Sequence, residues 1–155
     1  MGTFVEITCQ DKQAINEAFD AIKKVEAYAN NFDPRSELSR LNQKGICTAS
    51  QELFTLIELS KEYSALSNGA FDITIGPIAN LWKKKIKAYE EDKAVHGLPT
   101  QEEIGALLSM VGSDKIILDK NTLLIRLAKP EAMRQSIGQI SASSLRANEV
   151  SETIP

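Results

Sequence analysis

The residues best suited to contacting a ligand lie in one stretch, SNGAFDITIGP at residues 67–77. This stretch predicts a helix end, a tight glycine turn, a short strand and a second turn. Gly69 and Gly76 lack a Cβ, so a ligand can approach the backbone closely there. Asp72 lies between two apolar residues, and an alternating strand would present its carboxylate to accept hydrogen bonds from a ribose or an adenine amine. The alternative is ordinary turn chemistry with Asp72 solvated, and spacing alone favours that alternative.

A second candidate is the segment FDPRSE at residues 32–37. If Phe32 is exposed beside the rigid turn, its ring can stack on a planar ligand. Arg35 and Ser36 could then contact phosphate. The alternative is a capped surface turn with Phe32 buried in the core, and local evidence favours it.

The other polar candidates argue against several kinds of site. His96 is the single histidine and has no cysteine at ligand spacing, which disfavours a metal site and a histidine-based triad. Cys9 and Cys47 lack the C-x-x-C spacing of a zinc site. The lysine run at residues 83–85 is typical of a solvated helix face. The sequence contains no Walker loop and no G-x-G-x-x-G motif.

Composition restricts the possible partners. The 155 residues include 18 Lys and Arg against 21 Asp and Glu, a formal net charge of −3. This acidic balance disfavours a nucleic-acid partner. No apolar run approaches the ~20 residues of a membrane span. Apolar residues make up 43% of the chain, which is enough for one core.

Hydrophobic spacing and cap residues predict an α+β fold, with helices packed on a mostly antiparallel sheet. We expect Asn30 to end the first helix in a left-handed conformation, Asn68-Gly69 to end the second long helix, and Gly112 to end the last. Cys9 is expected to pack as a small apolar residue, and Tyr63 to join an inner helix face. The predicted elements are strands at 4–9 and 71–75, a short helical turn at 36–42, helices after Asp11, Ser50, Pro77 and Thr100, and a hairpin of 116–118 with 123–127.

Taken together, these stretches resemble the FAD:protein FMN transferase family, formerly called thiamine-biosynthesis lipoprotein ApbE. The resemblance runs from residue 1 to about residue 130. It rests on motifs in the family's order: Met1-Gly2-Thr3, FDPRSELSRLN at 32–42, SNGAFDITIGP at 67–77, Leu81-Trp82 and Leu98-Pro99.

The resemblance implies a partial ApbE-like (T-fold-like) domain with a defined chemistry. Such enzymes use Mg²⁺ to cleave FAD and attach FMN to a Thr or Ser of a target flavoprotein, here one of a membrane redox complex. By position, the resemblance places five residues in the FAD site, with Asp72 as a polar anchor and Phe32 as a stacking or lining group. It assigns no catalytic residue and no metal ligand in this chain. The five residues are Met1, Phe32, Ala70, Phe71 and Asp72.

The pattern is lost near Arg134. In SIGQISASSL at residues 136–145, Gly138 fits the family motif, but Ser136 stands where Asp is expected. We therefore expect residues 1–133 to be the N-terminal part of a flavin transferase domain, and 134–155 to be a divergent, poorly ordered tail. The chain is then a truncated FAD:protein FMN transferase, whether active or inactive; the alternative is a non-catalytic flavin-binding remnant or a subunit needing a separate C-terminal half. The resemblance also implies the cell envelope, as a periplasmic protein or inner-membrane lipoprotein, although residues 1–6 show no export signal.

Overall fold

Helices packed against a small sheet form the part of the chain that the structure describes. The structure is a computed structural model, and it describes residues 5–92, 97–128 and 137. The described elements, in chain order, are α1 (Lys12–Ala29), α2 (Glu37–Lys44), β1 (Ile46–Thr48), α3 (Gln51–Leu66), a 3-10 helix (Ile73–Ile75), α4 (Gly76–Glu91), α5 (Gln101–Leu108), a second 3-10 helix (Ser113–Lys115), β2 (Ile116–Asp119) and β3 (Leu124–Leu127). The predicted α+β class is confirmed.

The sheet in this part of the chain has three antiparallel strands in the order β1–β3–β2. Strands β2 and β3 form the predicted hairpin, with Leu118 opposite Ile125. Ile125 also lies opposite Cys47 of β1, so this row of side chains faces the core. The next row, which contains Arg126, faces outward.

One apolar core joins this sheet to α2 and α3. Residues at helical spacing contribute Leu38, Leu41, Leu53 and Ile57, all fully buried. Ile137 is fully buried in the same cluster. Burying a side chain of this size stabilises the fold by about 1.5–3 kcal/mol, so these residues fix how α2, α3 and the sheet pack together.

Most helices begin or end at the cap residues that the sequence predicts. The side chain of Asp11 accepts from Gln13 N–H at the start of α1, and Ser50 caps α3. Thr100 and Glu103 form the complete capping box of α5. At the end of α3, Asn68 and Gly69 adopt φ values of 52° and 81°, and Gly69 N–H donates to the Ser64 carbonyl at 2.8 Å.

The N-terminal strand prediction is wrong for its described part. Residues 5–9 have no strand conformation, because a strand needs a neighbour for its backbone hydrogen bonds and no described strand pairs with them. Cys9 is exposed rather than packed. Asn30 is extended, at φ −81°, and not left-handed. Its carbonyl accepts hydrogen bonds from the hydroxyls of Ser36 and Ser39, which hold the chain in that conformation.

Three further predictions, for residues 63, 71–75 and 112, are wrong. In place of the expected strand at 71–75 there is a 3-10 helix at Ile73–Ile75, because the side chain of its N-cap Asp72 accepts a hydrogen bond from Thr74 N–H two residues on. Helix α5 ends at Leu108 and so before Gly112. Tyr63 is 50% exposed, since it lies off the face that Leu53 and Ile57 bury.

The boundary between residues 1–133 and 134–155 stays a prediction. Apart from Ile137, residues 134–155 lie outside the described part of the chain. None of the helices within 5–92 and 97–128 is long and apolar enough to cross a membrane.

Candidate functional site

Asp72 lies at the centre of a hydrogen-bond cluster that joins two distant loops. Its Oδ1 accepts from the Thr74 backbone N–H at 2.8 Å and from the Thr74 hydroxyl at 2.7 Å. Its Oδ2 accepts from Ser113 N–H at 3.1 Å. The Thr74 hydroxyl, fully buried, accepts in turn from Gly112 N–H at 2.7 Å. The carboxylate therefore fixes the turn after α3 against the loop before β2.

Lys61 of α3 holds the other side of the same loop. Its Nζ donates to the Ser113 carbonyl at 2.7 Å and to the Ile116 carbonyl. Burial lowers the pKa of Lys61, while the charges of Asp114 and Asp72 act in the opposite direction. Ser113 thus donates its N–H to Asp72 and accepts at its carbonyl from Lys61. These two hydrogen bonds hold the loop in place beside Asp72.

Ala70 and Phe71 form the turn that precedes Asp72. Ala70 is exposed, and its N–H donates to the Ser67 carbonyl at 3.1 Å. Phe71 N–H donates to the Ser67 hydroxyl at 3.0 Å. The Phe71 ring packs against the core, so Ala70 is the part of this turn that is open to a ligand.

Phe32 projects from a rigid turn between α1 and α2. Its side chain is 69% exposed, so the alternative in which Phe32 is buried in the core is wrong. Its N–H donates to Asn30 Oδ1 at 2.9 Å. Beside it, Arg35 binds both carboxylate oxygens of Asp33 at 3.0 Å, and this hydrogen-bonded guanidinium lowers the pKa of Asp33. The turn therefore presents an aromatic ring to solvent on a fixed backbone.

Sequence reasoning missed the polar side chains that hold this turn in place. Ser36, which was a candidate phosphate contact, is buried and donates to the Asn30 carbonyl at 2.6 Å. Ser39 donates to the Asn30 and Asn31 carbonyls. Asn42 donates to Asn31 Oδ1 at 2.8 Å. The available signal was the spacing of 36, 39 and 42, which places three polar groups on one helical face.

The predicted site residues fall into two separate groups. Ala70, Phe71 and Asp72 lie together after α3, while Phe32 lies between α1 and α2. No hydrogen bond in the described part of the chain joins the two groups directly. Met1 lies outside the described residues, and so does His96.

Metal-ligand side chains do not cluster in the described ranges. No group of three or more His, Cys, Asp or Glu residues there could hold a metal ion. Cys9 and Cys47 are both free, and burial raises the pKa of the Cys47 thiol. The Mg²⁺ that the resemblance implies therefore has no fitting ligand set among these residues.

An apolar groove of about 290 Å³ lies along α4, away from the predicted site residues. Lys85 at its edge pairs with Glu103 at 2.9 Å. This groove contains exposed aromatic rings that can serve as internal comparisons for Phe32. Its lining consists of Trp82, Lys85, Ile86, Tyr89, Gly97 and Leu98.

Known proteins resemble this chain in sequence and in fold. It is 30% identical over 133 residues to the FAD:protein FMN transferase of Haemophilus influenzae, covering 79% of this chain and 35% of that protein. The Klebsiella pneumoniae enzyme of the same name is 25% identical over 140 residues, covering 88% of this chain and 42% of that protein. The chain thus spans well under half of the length of these relatives.

Solved structures share the fold at lower identity. The Pseudomonas stutzeri flavinyl transferase ApbE in its apo form superposes with a TM-score of 0.63 and 21% identity, covering 86% of this chain and 43% of that one. The ApbE protein of Thermotoga maritima gives a TM-score of 0.61 and 23% identity, covering 77% and 39%. A sequence model of the ApbE family matches residues 1–142. This chain therefore belongs to the ApbE family.

Proposed function

We propose that this chain forms the flavin-binding part of an FAD:protein FMN transferase. The relatives carrying that name support the activity, although the chain spans only part of their length. The observation that carries the proposal is the exposed ring of Phe32 on a turn fixed by hydrogen bonds. An exposed, immobilised aromatic ring suits stacking against a flavin or adenine ring.

The two groups of site residues would take different parts of FAD. Phe32 would line or stack on a ring. Ala70 is open to solvent and has a small side chain, so it would let the ligand approach the backbone. Asp72 accepts three hydrogen bonds already, and a carboxylate has about four acceptor positions, so one remains to anchor a polar group. Met1 would complete the site by family resemblance.

The reaction proposed for the whole enzyme is cleavage of FAD and transfer of FMN to a Thr or Ser of a target flavoprotein. Mg²⁺, when bound, would offset phosphate charge and stabilise the leaving AMP. The described residues provide no ligand set that fits this metal. We place the target in a membrane redox complex and the protein in the cell envelope, on family resemblance.

An alternative is a chain that binds FAD without transferring FMN, either as a remnant or as a subunit needing a separate C-terminal half. The chain binds FAD under the proposed function and under this alternative, and the two differ in whether FMN is transferred.

Flavin fluorescence tests the proposal directly. FAD at fixed concentration is titrated with the purified chain, with Mg²⁺ and without it, and FMN transfer to a target flavoprotein is assayed on the same samples. Saturable binding of FAD supports the proposal. Binding without transfer selects the alternative, and the absence of binding under both conditions would overturn both.

A further inference from the structure

Asn42 is a buried amide whose hydrogen bonds connect two parts of the chain that are distant in sequence. It is 2% exposed. Its Nδ2 donates to the Ile137 carbonyl at 3.0 Å and to Asn31 Oδ1 at 2.8 Å. Its Oδ1 accepts from Ile137 N–H at 3.2 Å. An amide side chain offers two N–H groups and one carbonyl, so both donors and the acceptor of Asn42 are engaged.

The two bonds to Ile137 recognise main chain and not side chain. Asn42 accepts from the N–H and donates to the carbonyl of one residue, as an adjacent strand does for its neighbour. Residues 42 and 137 are separated by 95 positions. The Ile137 side chain is fully buried in the core. Asn42 therefore fixes the main chain of Ile137 against α2.

The third bond extends this restraint to the turn that presents Phe32. Asn31 directly precedes Phe32, and its carbonyl also accepts from the Ser39 hydroxyl at 2.9 Å. The turn is thus held from α2 at the Asn31 side chain by Asn42 and at the main chain by Ser39. The Asn42 amide therefore fixes the turn that carries Phe32 and the main chain of residue 137 relative to each other.

We propose that Asn42 is a positioning residue for flavin binding, and this inference rests on the proposed function. An aromatic ring on a loose turn must be ordered when a ligand binds, and that ordering reduces affinity. Asn42 removes this loss by fixing the Phe32 turn beforehand, and it aligns the chain at Ile137 with the same turn. Neither contact requires Asn42 to touch FAD.

The test compares Asn42→Ala with Leu41→Ala, a neighbouring core residue on the same helix. Leu41 is fully buried, so its truncation destabilises the fold without removing any of the three amide bonds. The dissociation constant for FAD is measured by fluorescence at a temperature where circular dichroism shows every variant folded. We expect Asn42→Ala to weaken binding about tenfold through lost preorganisation, and Leu41→Ala to leave it within about twofold, since its effect falls on global stability.

A second variant keeps the proposal testable if Asn42→Ala does not fold. Asn31→Ala removes only the bond to Asn31 Oδ1 and leaves the Ile137 pair intact, so we expect an intermediate loss of about threefold. Equal dissociation constants for wild type, Asn31→Ala and any folded Asn42 variant would overturn the inference while leaving the proposed function standing. Failure of the wild-type chain to bind FAD would overturn both.

Discussion

Removing the Asp72 carboxylate is expected to destabilise the fold, because two of its hydrogen bonds fix the turn at Thr74 and the third ties that turn to Ser113, 41 residues away. Hydrogen bonds to a charged group contribute about 1.5–3 kcal/mol each when buried, and a buried partner left unsatisfied adds to the loss. Asp72 is only half-buried, so solvent replaces part of this. Fully buried, the three bonds would sum to about 4.5–9 kcal/mol, and with this exposure we expect Asp72→Ala to lower the free energy of unfolding by about 2–3 kcal/mol.

The assay is thermal and urea unfolding followed by circular dichroism. For a chain of this size each 1 kcal/mol shifts the Tm by about 2–4 °C, so the expected fall for Asp72→Ala is about 4–12 °C. Asp72→Asn keeps the Oδ1 acceptor but directs an amide N–H at Ser113 N–H. Its Tm should therefore lie between wild type and Asp72→Ala.

Asp114→Ala is the matched control, because the Asp114 side chain is 82% exposed and lies in the same loop. Surface changes of this kind shift stability by about 0.5 kcal/mol or less. If Asp72→Ala unfolds no more readily than Asp114→Ala, the cluster does not hold the loops together. The same variants also test the anchoring role: if folded Asp72→Asn and Asp72→Ala bind FAD as wild type does, Asp72 is not a ligand.

Two smaller predictions concern local backbone and pH. Gly69 has φ 81° with open space around the position of a Cβ, so Gly69→Ala should lower the free energy of unfolding by about 1–2 kcal/mol through backbone strain alone. Gly105→Ala, within α5, should raise the free energy of unfolding by about 0.5–1 kcal/mol. Urea unfolding of both variants measures these effects, and equal effects would contradict the left-handed conformation of Gly69. The hydrogen bond from Lys85, followed by that from Thr100 N–H, lowers the pKa of Glu103 from its ordinary 4.5, so its stabilisation is present above pH 4.5 and is lost as the pH falls through the lower folded value. Wild type should exceed Glu103→Leu in Tm at neutral pH, with the difference shrinking below pH 4.5; a difference that stays constant into acid would refute this.

The parts of the fold that depend on neighbouring residues could be predicted from the sequence. The capping box of Thr100 and Glu103, the Ser50 cap and the left-handed Asn68-Gly69 stop all act within a few residues. The hairpin of β2 and β3 has a short connection, so its register follows from the two strand patterns. Each of these signals is complete within its own segment.

The elements that could not be predicted depend on contacts between distant segments or on very short sequence patterns. Alternation across residues 71–75 fits a strand, yet Asp72 bonds Thr74 and the loop at Ser113, which the alternation does not encode. The same alternation at residues 5–9 has no described strand partner. Strand β1 has only three residues and becomes visible only when β3 pairs with it.

The candidate site was predictable as a set of residues but not as a geometry. Local evidence favoured a buried Phe32, whereas buried Ser36 and Ser39 hold its turn so that the ring faces solvent. Asn42 gave no local signal of its pairing with Ile137, because the two are 95 residues apart. Such links are determined by tertiary packing.

We propose that this chain binds FAD at the exposed ring of Phe32. The most direct measurement is the dissociation constant for FAD of wild type, Phe32→Ala and Tyr89→Ala, where Tyr89 is an aromatic ring of similar exposure, 51%, in the α4 groove. Stacking of an aromatic ring on a base contributes about 1–3 kcal/mol, so Phe32→Ala should weaken binding by about fivefold or more at unchanged Tm. Tyr89→Ala should bind as wild type does. Unchanged affinity in Phe32→Ala would contradict binding at this ring, and weakened affinity in Tyr89→Ala would instead place the flavin in the groove along α4.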